Sequence, residues 1–176
     1  MWVIIAAILV LVITAVALLE VYDSYKSGNQ QMTAQAMQQQ VSQSISVVLN
    51  TYAQNPNFTG FGNAQAQSIG AIPSSWTANG TTDFVMPNGG TMSYASANVN
   101  GGTNNGFSMT FSGLSQQQCV ALATFSLPQM YSVSDGTTTF DNPAYVSGGT
   151  WPPVPATVAG DCAAAGGNTV KYQIMG

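Results

Sequence analysis

The chain has no arginine and no histidine, and its 176 residues carry only two lysines against six acidic side chains. Each shortage closes off a class of function. Nucleic-acid binding draws its affinity from Lys and Arg neutralising phosphates, and Lys26 and Lys171 do not supply that term. Without histidine, metal sites lose their commonest ligand and acid–base catalysis its usual residue. Cysteine is nearly absent as well, and Cys119 and Cys162 lie too far apart for the short C-x-x-C-type spacing of a zinc site. In a charge-poor body rich in Asn, Gly and Thr the two read as a disulfide of an exported domain, with a pair of free buried thiols as the alternative. No nucleophile motif and no persuasively spaced carboxylate pair stands out, so neither an enzyme nor a cofactor is expected. Charged residues make up 5% of the chain, where about a quarter is usual. Solubility therefore rests on Asn, Gln, Ser, Thr and Gly.

What the chain has in abundance comes first: nineteen residues, Met1 to Leu19, that are apolar except for Thr14. In a helix rising about 1.5 Å per residue they span about 28 Å, close to the hydrocarbon thickness of a bilayer. No positive n-region and no small-residue cleavage motif accompanies them, so the segment reads as part of the working protein rather than as a secretory signal. A polar collar follows, Glu20 to Gly28, holding Asp23 and Lys26, with Gly28 as a weak point in the helix. From Asn29 to Tyr52 the sequence is Gln-rich, yet Met37, Val41, Ile45, Val48 and Tyr52 recur with the rhythm of one helical face. Asn55-Pro56 ends the pattern, because the residue before proline is pushed out of the α region. The expectation is one helix of about fifty residues, apolar all round at first and one-sided afterwards. Residues 1–28 then form the apolar helix and its collar. Residues 29–176 form a globular domain that includes the amphipathic half of the helix (29–54).

Beyond the helix a Gly-punctuated connection runs from Asn57 to Gly90, with a short helix expected over Asn63–Ile69. Met92–Ala95 and Phe107–Phe111 alternate like strands around the turn-rich Asn98–Gly106, which predicts a hairpin. Leu114–Phe125 reads as a helix with Ser115 as its N-cap and Cys119 on its inner face. Thr137–Phe140 and Thr169–Ile174 read as further strands. Trp151–Pro155 is either an exposed contact loop or a rigid polyproline-like connector. Tyr94, Phe107, Phe111, Tyr145 and Tyr172 fit core packing better than a carbohydrate platform. Asp135, Asp141 and Asp161 look like turn residues rather than a calcium cluster. The two N-x-T sequons, at Asn57 and Asn79, are what so Asn- and Thr-rich a chain produces by chance.

A helix that is half membrane span and half scaffold has a particular use. Lipid solvates its apolar half while the subunit waits in a membrane, and the same surface becomes the core of a fibre once many copies bundle. Burying nineteen apolar residues removes more than 1,000 Å² from water, about 25 kcal/mol as an upper bound. Lipid is the real starting solvent, so the net gain is far smaller and extraction calls for an energy-driven machine.

Four features together resemble a type IV pilin, more narrowly a type IVb pilin of the thin-pilus kind used in plasmid conjugation. They are the apolar opening Met1-Trp2-Val3-Ile4-Ile5 running into the long helix, and the run Asn63–Trp76 with its G-x-I-P turn. The others are Cys119 within a helix, and Cys162 before a closing Asn168-Thr169-Val170 strand. The resemblance implies an α+β fold: a long N-terminal helix packed on a C-terminal antiparallel sheet, with a Cys119–Cys162 disulfide framing the last region. It implies a homopolymeric filament at the bacterial cell surface, with the subunit held in the inner membrane beforehand. A prepilin peptidase and a pilus assembly machinery would be its partners. The filament core would be built from Met1, Trp2, Val3, Ile4, Ile5, Ile8, Leu9, Val12, Ile13, Val16 and Leu19. A minor or tip pilin, or a pseudopilin of a secretion system, is the alternative role. One departure stands out. Pilins usually carry a glutamate at the fifth mature position, whereas Ile5 stands here and the first acid is Glu20. If Met1 is the mature first residue, registration falls to the packing of Trp2 and the aliphatic side chains.

Overall fold

The computed structural model describes residues 34–79, 83–87 and 89–176. The predicted assembly residues from Met1 to Leu19, and the collar after them, lie outside the described residues. The first helix, α1, covers 34–52 of the described chain. Its inward stripe is the one the periodicity marks: Met37, Val41, Ile45 and Val48 are buried, and Tyr52 is half-buried at the C-terminal end. Each fully buried aliphatic side chain of that stripe contributes about 2 kcal/mol of transfer free energy, an upper bound set by the unfolded-chain reference. The helix stops before Pro56, and Tyr52, Phe58, Phe61 and Phe107 clamp its end in an aromatic cluster. Tyr52 stacks on Phe58 at 4.5 Å, and Phe107 meets both Phe58 and Phe61 at 5.5 Å.

A second helix, α2, spans Asn63–Ser68, and then a seven-stranded sheet is laid down. Its strands are β1 (Thr77–Asn79), β2 (Asp83–Val85), β3 (Thr91–Ala97), β4 (Gly106–Leu114), β5 (Met130–Ser134), β6 (Thr139–Asp141) and β7 (Asn168–Met175). All paired neighbours are antiparallel and the order is β1-β2-β3-β4-β7-β5-β6. The last strand of the chain thus fills the middle of the sheet, between β4 and β5. Helix α3 (Gln116–Ala123) connects β4 to β5, and α4 (Pro155–Asp161) lies between β6 and β7.

Because strand side chains alternate between faces, register sorts the sheet into two surfaces. The row Tyr94–Met109–Tyr172–Val133–Phe140 crosses five strands and is buried throughout. The neighbouring rows, Ser93–Thr110–Lys171–Ser134–Thr139 and Ala95–Ser108–Gln173–Ser132–Asp141, make the opposite face polar except at Ala95. Ser132 Oγ donates to Gln173 Oε1 across that face at 3.0 Å. Near its end β4 carries a bulge between Phe111 and Leu114, at which Gly113 takes φ +73°, a left-handed conformation that glycine adopts without a Cβ clash.

Two buried tyrosines join the helices to the sheet. Tyr94 and Ser44 of α1 share a buried hydroxyl–hydroxyl hydrogen bond. Tyr172, on the central strand, donates to the carbonyl of Leu122 on α3 at 2.7 Å. Burial pushes the Tyr94 hydroxyl up to about 12, with the Ser44 bond pulling weakly the other way, and burial also raises Tyr172 well above its ordinary value. Both groups therefore hold protons in the folded state that the unfolded chain gives up from about pH 10. Stability is therefore insensitive to these groups below about pH 10 and falls above it, by about 1.4 kcal/mol per pH unit for Tyr94 until about pH 12 is reached, with Tyr172 adding in the same direction. Urea titrations from neutral to strongly alkaline pH are expected to show a midpoint that is level with respect to these groups and then drops steeply. A Tyr94→Phe variant should lose part of that drop.

Candidate assembly surface

While α1 buries one stripe, it leaves Gln35, Gln39, Gln43, Ser46 and Asn50 exposed at steps of three and four residues, which places them on one outward face. Other glutamines of the same helix are structural. Gln38 Nε2 donates to the Ala121 carbonyl of α3 at 2.6 Å. Gln40 bridges to the loop before β1, donating to Ser75 Oγ at 3.0 Å and accepting from the Trp76 indole at 2.8 Å. Between α1 and the α3–α4 pair runs a groove of about 660 Å³, lined by residues including Ala34, Gln35, Gln38, Gln116, Val120 and Ala159. A neighbouring depression of about 470 Å³ follows α1 past Gln39 and Gln43 to Phe125. Among the described residues, no charged side chain lines either one. Contacts made along this face would consist of amide hydrogen bonds and methyl packing.

The α3–α4 region is held by the Cys119–Cys162 disulfide, with the two Cα atoms 6.0 Å apart and both residues buried. Ser115 caps α3 in a full capping box with Gln118: its side chain accepts from the Gln118 amide while Gln118 accepts from the Ser115 amide. Gln116 donates to the carbonyl of Cys162 at 3.1 Å. Asn168, at the start of β7, donates to Leu114 and Ala163 carbonyls and accepts from the Ala163 amide. The disulfide, the cap and this buried asparagine together fix α3, α4 and β7 as one block.

The remaining predicted sites resolve individually. Tyr94, Phe107, Phe111 and Tyr172 are core residues of the sheet, and Tyr145 is half-buried, donating to the Pro128 carbonyl at 3.1 Å. The Trp151–Pro155 run is partly buried and leads into α4. Trp151 is half-buried against the core before a cis bond to Pro152, Pro153 is buried, and Pro155 opens α4. Val154 between them is 58% exposed. Asp135 turns the β5–β6 connection, its Oδ1 accepting from the amides of Thr137 and Thr138, while Thr138 Oγ1 donates to Asp161. Among the described residues no cluster of three or more acids or cysteines is placed to hold a metal ion. Asn57 of the first sequon accepts from the Thr59 amide at 3.0 Å. Among the described residues no helix is long and apolar enough to cross a membrane.

Sequence patterning did not identify the cross-linking roles of Gln38, Gln40 and Asn168. Their partners lie 83, 35 and 54 residues away in the chain, and no local periodicity encodes such a pairing. A search of the curated proteins found no match. A family model described as Bundlin matches residues 25–175.

Proposed function

The chain belongs to the bundlin family, the bundle-forming pilins of type IVb pili, and on that footing we propose that it is the major subunit of a thin surface filament. Membership carries the coarse reading: a pilin subunit of a type IV pilus outside the cell, in a structural rather than an enzyme family. The finer reading is that copies polymerise through the apolar segment Met1–Leu19, leaving the inner membrane with the help of an assembly machinery after a prepilin peptidase has acted. Filaments of this kind would serve cell–cell contact, adhesion or conjugation.

The observation that carries the major-subunit reading is the build of α1 and its surroundings. One stripe of the helix is spent on its own sheet, and the opposite, glutamine-rich face is exposed beside grooves that no charged side chain lines among the described residues. A subunit packed laterally against many copies needs such surface, because each unpaired charge buried in a contact is costly. Immunogold labelling with antibody against the globular domain distinguishes the roles. Label along the whole length of the filaments supports a major subunit, and label confined to their ends identifies a tip pilin.

The charge inventory adds an expectation for the assembled filament. With two lysines and six acids in the whole chain, salt has few attractions to screen. Filaments are expected to sediment unchanged in about 1 M salt and in chelator. Release of a large soluble fraction by salt alone would show that ion pairs hold the copies together.

A further inference from the structure

We propose that the turn between β3 and β4 contains a spontaneous covalent modification site, Asn100-Gly101, at which the subunit ages by deamidation. The inference stands apart from the filament reading. Four asparagines occupy this turn, and the structure separates one of them from the rest. Asn98 Oδ1 accepts from the Asn104 amide at 2.8 Å, and Asn104 Nδ2 donates to Thr59 at 3.3 Å. Asn105 is held on both sides of its carboxamide: Oδ1 accepts from the Val99 amide at 2.8 Å, and Nδ2 donates to the Val99 carbonyl at 2.9 Å. Asn100 is exposed, and among the described residues nothing partners its side chain.

Two Asn-Gly pairs therefore sit within one turn in opposite settings. Asn100 and Gly101 have φ +49° and +76°, and the Gly102 amide donates to the Val99 carbonyl at 2.9 Å. Positive φ at both central residues with this bond makes a type I′ turn, the one Asn-Gly favours. In such a turn the amide of the second central residue takes no part in the turn bond. A Cβ built on Gly101 would meet no atom within 4 Å, so the peptide has space to rotate. Gly106, by contrast, opens β4, is paired with Ala97 and Met175, and has no space for a Cβ, which would run into the Ile174 carbonyl oxygen.

The chemistry follows from these two settings. The Gly101 backbone nitrogen, giving its proton to solvent base, attacks Cγ of Asn100. A nitrogen–carbon bond forms, the Cγ–Nδ2 bond breaks, and the side-chain nitrogen leaves as ammonia. Water then opens the five-membered imide. Attack at Cγ yields aspartate in a normal backbone, and attack at the former Asn100 carbonyl yields isoaspartate, with the main chain routed through Cβ. Glycine on the C-terminal side imposes the least steric resistance to ring closure because it has no side chain. Either product adds one negative charge to a chain whose formal net charge is −4, and isoaspartate also lengthens the turn.

Full-length protein incubated in mildly alkaline buffer, followed by peptide mass mapping and isoaspartate detection, tests this. Asn100 is expected to convert at least about tenfold faster than Asn105, whose two hydrogen bonds must break before its carboxamide can react. In denaturant the two positions should convert at similar rates, and an Asn100→Gly variant, which keeps the turn conformation, should lose the folded-state conversion. Equal rates at the two positions in the folded protein would overturn the proposal. So would an unchanged Asn100 over a period in which the denatured chain converts.

Discussion

Replacing Cys119 or Cys162 with serine is expected to lower the stability of the globular domain by about 4 kcal/mol. The bridge joins residues 43 positions apart, and releasing a loop of that size restores about that much conformational freedom to the unfolded chain. A typical domain has only about 5–15 kcal/mol in total, so the loss is a large fraction of the whole. Its structural effect should concentrate on α3, α4 and their seat on β7. Gln116 and Asn168 bind the same backbone stretch the disulfide secures, and their hydrogen bonds then carry the block alone. Urea unfolding of the oxidised protein and of each variant measures the loss directly, and filament yield from cells should fall with it. A difference below about 1 kcal/mol would mean that the hydrogen bonds and the core already hold the block.

The second large effect is expected at the other end of the chain. A Val12→Asp substitution should abolish filaments while leaving the globular domain folded. A carboxylate at the centre of an apolar helix costs about 2.5 to 3.5 kcal/mol on insertion scales, and under the proposed assembly, with the core built from these segments, the cost would recur in every copy. Negative-stain microscopy of surface material reads the filaments. Disulfide-bonded, protease-resistant domain in the membrane fraction shows that the subunit was made, inserted and folded. A Val12→Ala control keeps the segment apolar and should assemble. Filaments of normal length and number from Val12→Asp would show that Val12 does not face an apolar core.

The parts of this fold that could be read beforehand are those with a clean period. The α1 stripe was legible because Met37, Val41, Ile45 and Val48 follow 3.6-residue spacing and all four are buried. The β3–β4 hairpin was legible because Phe107, Met109 and Phe111 alternate with small polar residues across a turn rich in Asn and Gly. Ser115 announced α3 as a cap, and the two cysteines pointed to their own bridge. The unread elements lack such a signal. β1 and β2 are three residues each, too short for alternation to register. β5 shifts register between Met130 and Ser132, which breaks the period of two. α4 has seven residues with Gly160 among them and buries only Val158, so Pro155 at its first turn was its one sequence marker. Of the candidate surface, the exposed glutamines were visible as a polar face. The grooves beside them depend on where α3 and α4 settle, which is decided by contacts remote in sequence.

The most direct test is electron microscopy of shear-released surface filaments, with mass spectrometry of their dominant protein. The major-subunit role requires thin filaments composed chiefly of this chain, with peptides covering both the apolar segment and the disulfide-bonded domain. Filaments built of another protein, with this chain present in traces or confined to membranes, would contradict it.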